Sequence, residues 1–344
     1  MNNRYLFTSE SVSEGHPDKL CDQISDAILD ECLKQDVNSR CGIEVMGGKG
    51  KIFVTGEVTT KAIINLENIV KRVLKDVGYD TNYEIINNLG IQSADIALGT
   101  NDTVHGAGDN GMMFGYACKD TKELLPLAMV ILQKFSMAYD ELRKKDSRFL
   151  ADGKAQITGI YDENNKLIKI KTFTICYQNR ENDRVNTDKI IEDIARGICN
   201  EYNVDVLEFL INPTGKFEIG GFLGDAGLTG RKIVVDSYQS FANVGGGAFS
   251  GKDLTKVDRS GAYKAREIAK KIVNSNEDYT WCEVQLSYAI GKSRPLAIYI
   301  KTNLGDINAS DELYDECDVK NMLIELRNKN ICFEERARFG HFKD

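Results

Sequence analysis

Helix periodicity and strand alternation recur side by side in three successive stretches of this chain, and that mixture is the strongest constraint on its fold. In the first stretch Leu20, Ile24, Ala27, Ile28 and Leu33 have the spacing of a helix over residues 17–34, with Pro17 suited to its first turn. Residues 42–60 read as a hairpin, with Ile43 and Val45 before Gly47-Gly48 and Ile52, Val54 and Val58 after it; residues 63–77 return to helical spacing. The second stretch predicts a helix over 124–142, strands over 156–161 and 167–177 around Glu163-Asn164-Asn165, and a helix over 187–201. The third predicts strands at 209–211 and 232–235, a helix marked by Ala262, Ala265, Ile268, Ala269 and Ile272, and a strand pair over 283–290 and 296–302. Residues 92–111, rich in Gly, Asp, Asn and Thr, predict a long loop of the kind that often covers a site.

A chain of 344 residues has room for two or three domains. Its formal net charge of -8 argues against a general nucleic-acid or acidic-lipid surface, so any anion site is local. Nine scattered cysteines without a C-x-x-C pair read as reduced thiols. The N-terminal residues lack the apolar core of a signal peptide, and no run of about 18 apolar residues occurs. These features predict a cytoplasmic protein that neither spans a membrane nor binds nucleic acid.

Two segments carry the chemistry. Ser13-Glu14-Gly15-His16-Pro17-Asp18-Lys19 puts His, Asp and Lys at a helix start, where free N–H groups and the helix dipole favour phosphate; a plain helix cap is the alternative. With three His in the chain, a multi-His zinc site is not expected. Residues 246–252 match G-x-x-x-x-G-K, but Asp253 stands where a P-loop has the magnesium-binding Ser or Thr. A P-loop and a plain flexible loop both stay open on that motif. Asp225, Arg231 and Lys232 precede it among glycines, and Lys256, Asp258 and Arg259 follow it. If both Gly-rich stretches faced one cavity, cations and carboxylates would meet there as magnesium triphosphate requires. Asp152-Gly153-Lys154 and Gly106–Gly111, with Asp109, have the composition of ordinary turns.

Together the segments FTSESVSEGHPDKLCDQISDAILD from Phe7, GAGDNGMMFGYA from Gly106, INPTGKFEIGG from Ile211, GDAGLTGRKIVVDSY from Gly224, GGGAFSGKDLTKVDRS from Gly245 and SYAIG from Ser287 resemble, in order, the bacterial and eukaryotic-type S-adenosylmethionine synthetases, also called methionine adenosyltransferases. The resemblance covers about residues 4–302, with a weaker echo in Phe339-Gly340-His341-Phe342. It implies an α+β fold of three similar mixed domains with approximate threefold pseudo-symmetry. They divide as residues 1–95, 106–220 and 221–344, with a mobile active-site loop over 96–105. It also implies ATP and L-methionine as substrates, two Mg2+ per site, K+, and a homodimer with shared active sites; a tetramer built as a dimer of dimers stays open.

Carried over by position, the resemblance puts His16, Lys154, Arg231, Lys232 and Lys252 on the triphosphate as the catalytic set, and Asp18 and Asp258 on magnesium. Lys216, Phe217, Asp152, Asp225 and Ala248 complete the ATP site. Glu57, Gln92, Asp109, Asp225 and Lys256 match methionine-binding positions, and Glu44 the potassium ligand. The sequence departs from typical bacterial members in a shorter stretch between Gln92 and Gly106 and a shortened, charged segment after Thr302. Two rivals are a P-loop-like ATPase and a catalytically silent partner subunit of the same family.

Overall fold

A computed structural model describes residues 4–93, 105–180 and 184–343. The elements in chain order are β1 (Tyr5–Val12), α1 (Pro17–Gln35), β2 (Arg40–Gly48), β3 (Lys51–Thr59), α2 (Leu66–Val77), β4 (Glu84–Gly90), β5 (Gly111–Cys118), α3 (Leu127–Lys145), β6 (Phe149–Tyr161) and β7 (Leu167–Asn179). They continue with α4 (Arg184–Glu201), β8 (Phe209–Ile211), α5 (Gly221–Gly224), β9 (Gly227–Leu228), α6 (Ile233–Asp236), α7 (Val257–Ser275), β10 (Trp281–Tyr288), β11 (Ala297–Thr302), β12 (Gly305–Ile307), α8 (Asp311–Glu316), α9 (Val319–Arg327) and α10 (Phe333–Ala337).

Among the described residues the strands form three four-stranded sheets in the orders β1-β6-β7-β8, β4-β3-β2-β9 and β12-β11-β10-β5. One plan recurs in each. A hairpin, β6–β7, β2–β3 or β10–β11, receives on its first strand an antiparallel strand from a distant stretch of chain: β1, β9 or β5. On the second strand, β7 and β3 pair in parallel with β8 and β4, reached through the helices α4 and α2. The third copy departs there, because β12 follows β11 directly and pairs with it antiparallel. The mixed α+β architecture expected from the sequence is thus present, and each sheet joins segments far apart in the chain.

Helix α1 lies at the centre, buried from Pro17 to Leu29 although Asp18, Lys19, Asp22, Gln23, Ser25 and Asp26 are polar. Its apolar positions pack into the larger core, and a second core joins α3 and α4 to the β6–β7 sheet. Predicted helix starts shift for local reasons. Asn65 caps α2 by accepting the Asn68 N–H, so the helix begins at Leu66. Pro126 starts α3 and keeps the preceding residue out of helical geometry, so Leu124 lies outside it. The strand expected at 232–235 from its β-branched run is instead the single helical turn α6, with Asp236 N–H bonded to the Lys232 carbonyl and the Asp236 carboxylate anchored to Lys19. No helix among the described residues is long and apolar enough to cross a membrane. The expected loop 96–105 lies, His105 apart, outside the described residues.

Candidate active site

The loop before α1 is stitched to β6. Ser13 donates its N–H to the Gly153 carbonyl and its hydroxyl to the Ala151 carbonyl, while the Tyr79 hydroxyl binds the Gly15 carbonyl at 2.8 Å. His16 then caps α1, its Nδ1 accepting the Asp18 N–H at 3.2 Å. Nδ1 is therefore the acceptor, and the ring proton of neutral His16 sits on Nε2, a donor at the helix N-terminus. Burial, reinforced by Lys232, lowers the imidazole pKa to about 4, so the ring is neutral at pH 7.

Around this cap stand the first group of expected residues. Asp18 accepts Lys232 Nζ at 2.5 Å and the Leu228 N–H at 3.0 Å, and the Arg231 guanidinium lies 3.5 Å away. Lys154 reaches in from β6, held at 2.6 Å by Glu10. Asp152, almost wholly buried, accepts the Gly221 N–H at 2.9 Å; burial raises its carboxyl to about 6, and the nearby charges of Asp225 and Asp18 add to that. Gln178 links Asp152 to the carbonyl of Glu218, next to Phe217. Lys216 is exposed and pairs with Glu218 at 2.8 Å, and Phe217 is half-buried.

The second group lines a different cavity, of about 550 Å³, between β2–β3 and the Gly-rich loop. Glu44, Glu57, Asp109, Ala248, Lys252, Lys256 and Asp258 face it, and Ile91 and Ser93 on either side of Gln92 do so too. Lys252 pairs with Asp258 at 2.6 Å, and Lys256 with Glu57 at 3.3 Å. Glycine is required in the loop here. A Cβ on Gly247 would lie 2.1 Å from Asp258 Oδ1, and Gly251, at φ +81, would meet the Ile43 carbonyl at 1.9 Å.

The two Gly-rich stretches therefore do not share one cavity within the chain. Arg231 and Lys232 join the Asp18 group, whereas Lys252, Lys256 and Asp258 join the Glu57 group; the stretches adjoin where Gly230 abuts Ala248. Arg259 faces neither group. It is fully buried in the first turn of α7 and clasps Asp26 of α1 in two bonds of 2.8 and 2.6 Å, while Asp26 also accepts the Gly251 N–H. The G-x-x-x-x-G-K stretch lacks P-loop topology, which runs from strand through loop to helix: it follows the helical turn α6, and α7 begins only at Val257.

Matches to family models decide what this arrangement belongs to. The N-terminal domain of S-adenosylmethionine synthetase matches residues 4–97, the central domain 104–217 and the C-terminal domain 219–344. The chain belongs to the S-adenosylmethionine synthetase family. Members of that family act on ATP and methionine and need divalent and monovalent cations.

Sequence reasoning missed the residues that brace these groups, because their partners are remote in the chain. Glu10 holds Lys154, and Tyr79 fixes Gly15. Lys19, grouped in the sequence with the phosphate-favouring helix start, is instead buried between Asp22 at 3.0 Å and Asp236 at 2.5 Å. Glu14 lies buried between Arg143 and Arg338. Among the described residues no cluster of three or more His, Cys, Asp or Glu forms a ready-made metal cage. The single carboxylates Asp18 and Asp258, each beside a lysine, instead suit Mg2+ bound largely through substrate phosphates.

Proposed function

We propose that this chain is a methionine adenosyltransferase: methionine sulfur attacks C5' of ATP, S-adenosylmethionine forms, and the released tripolyphosphate is hydrolysed to phosphate and pyrophosphate. The observation that carries the reading is the convergence of His16, Lys154, Arg231 and Lys232 around Asp18 at the N-terminus of α1. A neutral thioether is already a nucleophile, so the reaction needs no general base. It needs aligned reactants and donors fixed where charge grows on the leaving group. His16 offers an uncharged Nε2–H to a phosphoryl oxygen, and the two lysines and Arg231 offer charged donors. Lys216, Phe217, Asp152 and Asp225 bound the nucleoside end of that group. The cavity group supplies the rest, with Glu57, Asp109 and Lys256, next to Gln92, taking the charged ends of methionine, and Ala248 and Lys252 lying against ATP. Mg2+ at Asp18 and Asp258, two per site, would add positive charge to the triphosphate, with K+ at Glu44 on the cavity wall.

A homodimer completes the reading. Asp18 and Asp26, the latter anchoring the Gly-rich loop, are about 12 Å apart along α1, so the two groups of one chain are displaced from each other. Both open on outward sheet faces. Lys154 is exposed on β6, and Glu44 and Glu57 share a face with the cross-strand row Leu228, Met46, Phe53 and Ile86. Met46 and Leu228 are well exposed, an apolar row suited to a second copy. Face-to-face pairing would bring the phosphate group of one chain to the methionine group of the other. All nine cysteines are free, as suits the cytoplasm.

The test is incubation with ATP and methionine, with magnesium and potassium present or omitted, products being resolved by chromatography with mass detection. Methionine-dependent S-adenosylmethionine with phosphate and pyrophosphate is expected, falling without either ion. ADP formed without methionine would restore the ATPase reading, and folded protein without turnover the silent-subunit reading.

A further inference from the structure

The residues after α10 sit behind both groups. His341 is 1% exposed and Phe342 4%. On one side the His341 N–H bonds the Asp236 carbonyl at 3.0 Å, and the Asp236 carboxylate holds Lys19, which leads through Asp22 to the Gly230 N–H beside Arg231 and Lys232. On the other side the His341 ring packs 5.0 Å from Phe249, a residue of the Gly-rich loop, and its Nδ1 lies 2.8 Å from the Tyr263 hydroxyl of α7. Phe342 stacks on Tyr238 at 5.0 Å and meets Phe249 edge-on at 5.8 Å. Gly340, at φ +99, turns the chain so that both rings point inward, and Arg336 holds the His341 carbonyl at 2.8 Å. Among the described residues, the rings that pack on Phe249 come from α7 and this segment.

We propose that His341 and Phe342 are positioning residues that lock the Gly-rich loop 245–251 to the α6 turn, keeping the Lys252 group in register with the Asp18 group. The inference rests on the methionine adenosyltransferase reading for its kinetic consequence, and on packing alone for its structural one. A loop carrying Ala248 and Lys252 that loses its aromatic floor keeps its residues but not their placement, and misplacement of about 1 Å can cost on the order of a hundredfold in rate.

The experiment uses the full chain with His341→Ala and the near-isosteric Tyr263→Phe, which removes only the hydroxyl facing Nδ1. Two readouts are taken at a temperature where both variants are folded by circular dichroism. Hydrogen exchange by mass spectrometry should accelerate at residues 245–252 while the β2–β3 hairpin stays unchanged. In the assay above, KM for ATP should rise about tenfold in His341→Ala and about threefold in Tyr263→Phe. A merely structural role would lower Tm while leaving KM and loop exchange at parent values; that pattern would overturn the proposal. If His341→Ala does not fold, Tyr263→Phe decides alone. If the parent makes no S-adenosylmethionine, the functional reading fails while loop exchange still decides the inference.

Discussion

Replacing Asp26 by Ala should be among the most destabilising single changes in this chain. Asp26 and Arg259 are both 0% exposed, so the change strands a buried guanidinium that loses its counter-charge and two hydrogen bonds and keeps the Lys252 carbonyl at 2.9 Å. Breaking a buried pair from one side costs about 3–5 kcal/mol. The Gly251 N–H loses its 2.8 Å acceptor in the same buried region, adding about 1 kcal/mol, for a total near 4–6 kcal/mol. Against a total stability of about 5–15 kcal/mol, that is a large share. Asp26→Asn, which keeps one carbonyl oxygen, should cost roughly half as much. The sharper test is the pair Asp26→Leu with Arg259→Met, because removing both charges costs far less than removing one and should recover most of the loss. Urea unfolding followed by circular dichroism and by the single Trp281 measures Asp26→Ala, Asp26→Asn, the Asp26→Leu and Arg259→Met singles and their double variant. A midpoint for Asp26→Ala equivalent to less than about 1 kcal/mol of destabilisation, or a double variant as unstable as the sum of the singles, would refute the reasoning.

Other outcomes follow from the site. His16→Ala removes both the cap on α1 and the Nε2–H donor, so turnover should fall about 10²-fold or more while thermal stability falls by about 1 kcal/mol; unchanged turnover in the S-adenosylmethionine assay would remove His16 from the chemistry. Asp152 has its folded-state carboxyl raised to about 6 by burial, so ionising it opposes folding. The cost is absent below the unfolded value near 4, grows between pH 4 and 6, and is full above 6, at about 3 kcal/mol. Asp152→Asn should therefore raise Tm at pH 8 but not at pH 4, and a pH-independent Tm difference would contradict this. Gly247→Ala would press a methyl group into Asp258, and should raise KM for ATP with little change in the circular dichroism spectrum. Met46→Glu, in the apolar row of the β2–β3 sheet, should shift the protein to monomer by light scattering and abolish turnover together; an active monomer would exclude shared sites.

Read alone, the sequence determined the pieces whose causes are local. Periodicity located α1, α4, α7 and the β2–β3, β6–β7 and β10–β11 hairpins, because a repeat of 3.6 or 2 depends only on neighbours. Extended motifs in order marked the family, since a run such as GHPDK demands one cap geometry. Where a partner lies far along the chain, local signals failed. The β-branched run at 233–235 became a helical turn because Lys19, more than 200 residues away, captures Asp236. Arg259 read as one of the charges that would meet a triphosphate if both Gly-rich stretches faced one cavity, yet Asp26 takes it into the core. Only the tertiary structure decided that each sheet borrows a strand from a distant segment, and that Lys232 and Lys252, both candidate ATP contacts, belong to groups set apart on one chain. The physical reason is that helices and turns are chosen by neighbouring residues, whereas ion pairs, cavities and sheet edges are chosen by whatever the fold brings within a few ångströms.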